Sequence, residues 1–127
     1  MIKQVFNVKH YWKVIVYYNV DYSLFNYIYN DLKETDISKK SLNRLYYNMF
    51  SHRAKAVTIS NINKHISVVL FNTHNNYYDY INSIVHEAEH IKQAMLEAYN
   101  IEDYGEPPAY TIGFLSMKML MILKHLY

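Results

Sequence analysis

Between Tyr77 and Tyr99 the apolar residues Ile81, Ile84, Val85, Ala88, Ile91, Met95 and Ala98 recur at helical spacing. The pattern predicts one long helix with a stripe to bury, so the rest of the chain must supply a sheet or other helices to cover it. On the flank of that stripe stands His86-Glu87-Ala88-Glu89-His90. Two histidines four residues apart in a helix project from the same face, because four residues make slightly more than one turn. Both imidazoles can then reach one metal ion. Glu87 lies beside it, placed to take a proton from water.

The remaining elements follow from periodicity. Residues 5–18 read as one strand. Phe6, Val8, Trp12, Val14, Val16 and Tyr18 share a face, and His10 lies on the same side; Lys9, Tyr11, Lys13 and Tyr17 share the other. A helix starts at Asp21 or Ser23 and runs to about Lys33, with Leu24, Ile28 and Leu32 inward. Ser38 is an N-cap for a second helix to about Phe50, with Leu42, Leu45 and Met49 as its stripe. Residues 57–60 and 66–71 form a hairpin around 61–63, where asparagine tolerates the left-handed backbone of a tight turn. After the long helix comes a polar turn over 100–105. Pro107-Pro108 then suits the first turn of a last helix, ending near His125. The expected class is α+β in one domain, residues 1–127. A three-stranded sheet with a hairpin at its edge would pack on the histidine-bearing helix and the C-terminal helix.

Composition narrows the function. Hydrophobic residues are 51% and charged residues 19%, values of a globular chain. A net charge of +2, with basic residues scattered, argues against a nucleic-acid partner. No apolar run approaches the roughly 18 residues that span a bilayer; the stretch from Met119 to Leu123 is bounded by Lys118 and Lys124. Met1-Ile2-Lys3-Gln4 leads into an alternating run rather than an apolar signal core, so a cytoplasmic or virion-associated setting is expected. With no cysteine, any metal must be held by histidine and carboxylate.

A zinc site needs a third protein ligand and an open position. Glu97, Glu102, Asp103 and Glu106 are the downstream carboxylates. Glu97 is about two turns beyond His90 on the same helix, too far to share an ion. Glu102 and Asp103 lie in the polar turn. Glu106 opens the last helix, near the C-terminal end of the long helix and roughly 15 Å from His90. It comes within reach only if the loop doubles back. Other residues carry simpler readings. Glu89 is a solvated or helix-supporting carboxylate, Asp79 complements the helix dipole, His74 reads as an exposed loop histidine ahead of a reading as a substrate-binding residue, and His52 and His65 flank the hairpin without a partner pattern. Met117, Met119 and Met121 fill core or half-exposed surface.

Val85-His86-Glu87-x-x-His90 followed by Gly105-Glu106-x-x-Ala109-Tyr110-x-x-Gly113 resembles small gluzincin-type zinc metallopeptidase domains, including uncharacterised proteins of gut Bacteroides and their phages. The specific part of the resemblance covers residues 85–113. It implies a zinc ion held by His86, His90 and Glu106, with Glu87 as general base and a peptide or protein as substrate. Tyr110, one turn beyond Glu106, is then a candidate donor to the developing oxyanion, against a competing reading as a core tyrosine. The resemblance also implies a strand before the metal helix whose edge pairs with an extended peptide, and Ile66–Phe71 occupies that place. The double proline after Glu106 departs from the pattern, and no separate substrate domain is present. The small size keeps an alternative open: a zincin-fold structural or binding protein, an accessory of a phage or mobile element, that holds metal without turnover.

Overall fold

A computed structural model describes residues 1–9 and 11–127; the reading of His10 lies outside the described residues. Among those residues the chain is α+β, with a four-stranded mixed sheet and four α-helices. The expected strand over 5–18 is in fact two, β1 (Ile2–Val8) and β2 (Trp12–Tyr18), paired antiparallel with Val8 opposite Trp12. Then come α1 (Phe25–Leu32), α2 (Lys39–Phe50), β3 (Ala56–Asn61), β4 (Ile66–Phe71), α3 (Tyr77–Tyr99) and α4 (Glu106–Leu123). The sheet order is β1-β2-β4-β3, with β2 parallel to β4 and antiparallel pairs at both sides. The sheet therefore has four strands rather than three.

β4 sits inside the sheet, paired on both edges. The edge expected for Ile66–Phe71 is thus not free. The sequence Ile-Ser-Val-Val-Leu-Phe fits that interior place, since a strand covered on both faces needs apolar residues at nearly every position. The outer strands are β1 and β3.

Helices cover both faces. On one, Phe6, Val8, Trp12, Val14, Val16, Tyr18, Val69 and Phe71 pack with Tyr80, Ile84, Ala88, Ile91 and Met95 of α3 and with Leu115, Met119 and Leu123 of α4. On the other, Ile15, Tyr17, Ile66, Val68 and Leu70 pack with Ile28 and Leu32 of α1 and with Leu45 and Met49 of α2. Val85, expected on the buried stripe, is exposed. α3 lies over β3, where Thr58 meets Glu87. α4 lies over β1, where Gln4 donates to the Lys118 carbonyl at 2.9 Å and Phe6 meets Phe114 edge-on. No helix is long and apolar enough to cross a membrane among the described residues.

Local signals place several ends as expected. The Ser38 hydroxyl accepts from the Ser41 amide, capping α2. The Asn76 side chain caps α3 in the same way through the Asp79 amide. Asn100 closes α3 in the left-handed region, at φ 54°. In the β3–β4 turn the left-handed residue is His65, φ 54°, rather than an asparagine. Asn61 acts through its side chain, whose Oδ1 accepts from the Lys64 amide at 2.9 Å.

Candidate metal centre

His86 and Glu87 share one turn of α3 and His90 stands on the next, midway along its length. The helix stands over β3, so Glu87 turns inward while both histidines face solvent. Glu87 is only 4% exposed. Its Oε1 accepts a 2.9 Å hydrogen bond from the Thr58 hydroxyl of β3. Thr58 points to α3 because β3 alternates: Val57 and Ile59 pack on the opposite face of the sheet, against α1 and α2.

The two Nε2 atoms of His86 and His90 are 3.1 Å apart, with the rings nearly perpendicular. Two nitrogens each 2.0–2.1 Å from a tetrahedral ion stand about 3.3 Å from one another. The pair is already at that separation. Glu87 Oε2, not engaged by Thr58, lies 4.0 Å from His86 Nε2. Ligand atoms of all three side chains fall within 4.8 Å of one another, so this group can hold a metal ion. Among the described residues it is the cluster with that property.

Beside it opens a polar cleft of about 370 Å³, lined by Lys55, Ala56, Asp79, Asn82, Ser83, His86 and Glu87. A second cleft of about 320 Å³ shares Lys55 and Asp79 and reaches His74. The Lys55 ammonium lies 3.9 Å from the Asp79 carboxylate between them.

Glu106 is placed elsewhere. It is the first residue of α4, exposed and outside the His86–Glu87–His90 cluster. His90 lies nine residues before the end of α3, about 14 Å of helix. Tyr110 is 67% exposed, under the Lys9 ammonium at the β1 side. From β3 to β1 is three strand spacings, about 14 Å. The structure therefore brings together His86, Glu87 and His90 and leaves Glu106 and Tyr110 apart from them.

The loop over 100–105 does double back, but with a different carboxylate. Asp103 Oδ1 is 2.9 Å from the Lys92 ammonium, and Gln93 Nε2 donates to Asp103 Oδ2 at 2.6 Å. Glu89 completes the group, 2.9 Å from Lys92 and bonded by Gln93 at 3.0 Å. The hydrogen bonds from Lys92, then those from Gln93, hold the Glu89 and Asp103 carboxyls below their usual range. The bond to Glu89 raises Lys92 against the opposing effect of burial. Glu89 is thus a helix-supporting carboxylate, as its spacing suggested.

His74 is not an exposed loop residue: it is 7% exposed and stacked on Tyr80 at 4.2 Å. Its Nδ1 is 2.7 Å from the Asn72 carbonyl and its Nε2 is 2.7 Å from the Ser83 hydroxyl. Thr58 and Ser83 were not singled out by sequence. Their signals were present: Thr58 and Ser60 are the polar positions of an alternating strand, and Ser83 precedes His86 and Glu87 by one helical turn.

Compared with protein-family models, curated proteins and solved structures, the chain matches none.

Proposed function

We propose that the chain is a zinc-dependent peptide hydrolase in which His86 and His90 hold the ion and Glu87 is the general base. The observation that carries this reading is the pair of Nε2 atoms 3.1 Å apart with the Glu87 carboxylate beside them. When bound, the ion supplies the Lewis acidity that makes water a nucleophile at neutral pH. The Thr58 bond fixes one oxygen of Glu87 and leaves the other to accept a proton and return it to a departing amine. The polar cleft beside His86 receives the substrate, and β3, an outer strand, offers an edge to an extended peptide in place of β4.

The positions of Glu106 and Tyr110 favour a second reading, a zincin-fold module that holds metal without turnover. Neither residue lies among the side chains gathered at the site, so the third ligand and the oxyanion donor that the resemblance implies are not supplied by Glu106 and Tyr110, and a Glu87 that binds the ion no longer serves as base.

One experiment separates them. Elemental analysis of protein never exposed to chelator is expected to give one zinc per chain, lost in His86→Ala. Incubation with a mixed peptide library is then expected to yield cleavage that Glu87→Gln abolishes with zinc retained. Zinc without cleavage selects the module. Absence of zinc overturns both.

A further inference from the structure

The histidine of the loop before α3 and a serine of α3, one turn ahead of His86, form a second pair at the same cleft. His74 Nδ1 faces a backbone carbonyl, that of Asn72, at 2.7 Å. A carbonyl only accepts, so Nδ1 carries the ring proton and Nε2 keeps its lone pair. The group opposite Nε2 is the Ser83 hydroxyl, at 2.7 Å. Ser83 therefore donates to His74. A helical serine ordinarily turns its hydroxyl back to a carbonyl of the preceding turn; this one is directed at an imidazole.

The imidazole is held at both nitrogens and on one face, which stacks on Tyr80. The residue that orients it is itself anchored: Asn72 Nδ2 donates to the carbonyls of Met49 and Ala54, at 2.9 and 3.0 Å, and Tyr22 donates to its Oδ1. Burial keeps the imidazole neutral by lowering its pKa. Ser83, half-buried, lines the cleft of about 370 Å³ and so meets solvent on its other side. A hydroxyl, a neutral base within hydrogen-bond reach and a third group orienting the base are the parts of an activated nucleophile. Lys55 and Asn82 line the same cleft and are the donors available to a developing oxyanion.

We propose that Ser83 and His74 form a nucleophile–base dyad that hydrolyses a small polar carboxylic ester through an acyl-serine intermediate. Ser83 Oγ bonds to the ester carbonyl carbon as its proton passes to His74 Nε2. The carbon–alkoxy bond breaks, and the alkoxide leaves as the alcohol with that proton. Water then attacks the acyl-serine and gives one proton to Nε2. The acid departs, and Ser83 recovers the proton from His74. Every atom is accounted for by ester plus water, and no metal takes part. The polar lining of Lys55, Asp79 and Asn82 selects a short polar acyl group over a lipid chain.

A fluorophosphonate probe on the full chain tests this, with the adduct mapped by peptide mass spectrometry because 15 tyrosines offer competing hydroxyls. The adduct is expected on Ser83. It should be unaffected by EDTA, so its failure is distinct from failure of the zinc reading. In folded His74→Gln the labelling rate should fall at least about 100-fold. The chain has no cysteine, so Ser83→Cys introduces a single thiol. Beside the His74 lone pair its iodoacetamide alkylation should titrate below the ordinary thiol value of about 8.5. Wild-type protein with Ser83 unmodified overturns the proposal, as does a thiol in Ser83→Cys that titrates at or above the ordinary value.

Discussion

The Thr58 hydroxyl on β3 donates a 2.9 Å hydrogen bond to Glu87 Oε1 on α3, tying an outer strand to the carboxylate between two histidines. Thr58→Val keeps the shape and removes the donor, leaving an oxygen of a carboxylate that is 4% exposed without its partner. An unsatisfied buried acceptor costs about 1–3 kcal/mol. Urea unfolding is expected to show a loss in that range, with Thr58→Ser near wild type. Equal stability in the valine variant would mean that Glu87 finds water or relaxes outward.

Zinc affinity distinguishes the residues the fold brings together from those it separates. His86→Ala and His90→Ala each remove one of two nitrogens set 3.1 Å apart, and calorimetric titration should show at least about a 100-fold weaker affinity. Glu106→Gln alters a side chain outside the cluster, and its affinity should stay within about 3-fold of wild type. A loss in Glu106→Gln as large as in the histidine variants would require the start of α4 to move to the ion.

Much of this was legible locally. The apolar spacing of α3 gives its bounds, Ser38 marks the start of α2, and the face of Phe6, Val8, Trp12, Val14, Val16 and Tyr18 is the one that packs under α3 and α4. What local pattern concealed was the break between β1 and β2. The pairing of Val8 with Trp12 leaves three residues between the strands, so the even positions of β1 and β2 lie on one face and the sequence pattern shows no break. Lys9, at φ 52°, takes the left-handed backbone without the glycine or asparagine that would have announced a turn. The parallel pairing of β2 with β4 depends on contacts across more than 50 residues and has no local signature. That pairing puts β4 inside the sheet. The covering of β1 by α4 then carries Tyr110 toward the opposite edge of the sheet from β3 and Glu87. The motif was readable because its residues lie within one helix; its completion was not, because the packing of a second helix decides it.

The clasp of Lys92 with Glu89 and Asp103 makes the loop over 100–105 sensitive to acid. Both carboxyls are held below their usual range in the folded chain. Their contribution is therefore present above the unfolded values near 4 and lost as pH falls through the lower folded values. Lys92 is raised, so its share is present below its unfolded value and lost only as pH rises through the folded one. Amide exchange of residues 100–105 should speed up between pH 5 and pH 3, relative to the intrinsic rate. Lys92→Met should abolish that difference. The same acceleration in the variant would show that the loop is held by something other than the clasp.

His74 gives stability a pH dependence in a higher window. Burial is the largest influence and lowers its pKa; the Asn72 carbonyl opposes it, Lys55 adds to it and Asp79 opposes it. The other groups around the ring are the Ser83 hydroxyl and the Tyr80 ring, with the Tyr127 hydroxyl on the His74 carbonyl. Above the unfolded value of about 6.5 both states are neutral and the residue contributes no slope. Below it the unfolded chain takes up a proton before the folded chain does, so stability declines as pH falls toward the folded value. Urea midpoints measured from pH 7.5 to 5 should drop, and His74→Gln, where folded, should flatten that drop. In the wild type, nitrogen-15 spectra should place the proton on Nδ1 at pH 7, because Nδ1 faces a carbonyl and Nε2 a hydroxyl. A proton on Nε2 would reverse the bond to Ser83 and leave two acceptors, Nδ1 and the Asn72 carbonyl, face to face at 2.7 Å, an arrangement the packing around Asn72 gives no means to relieve.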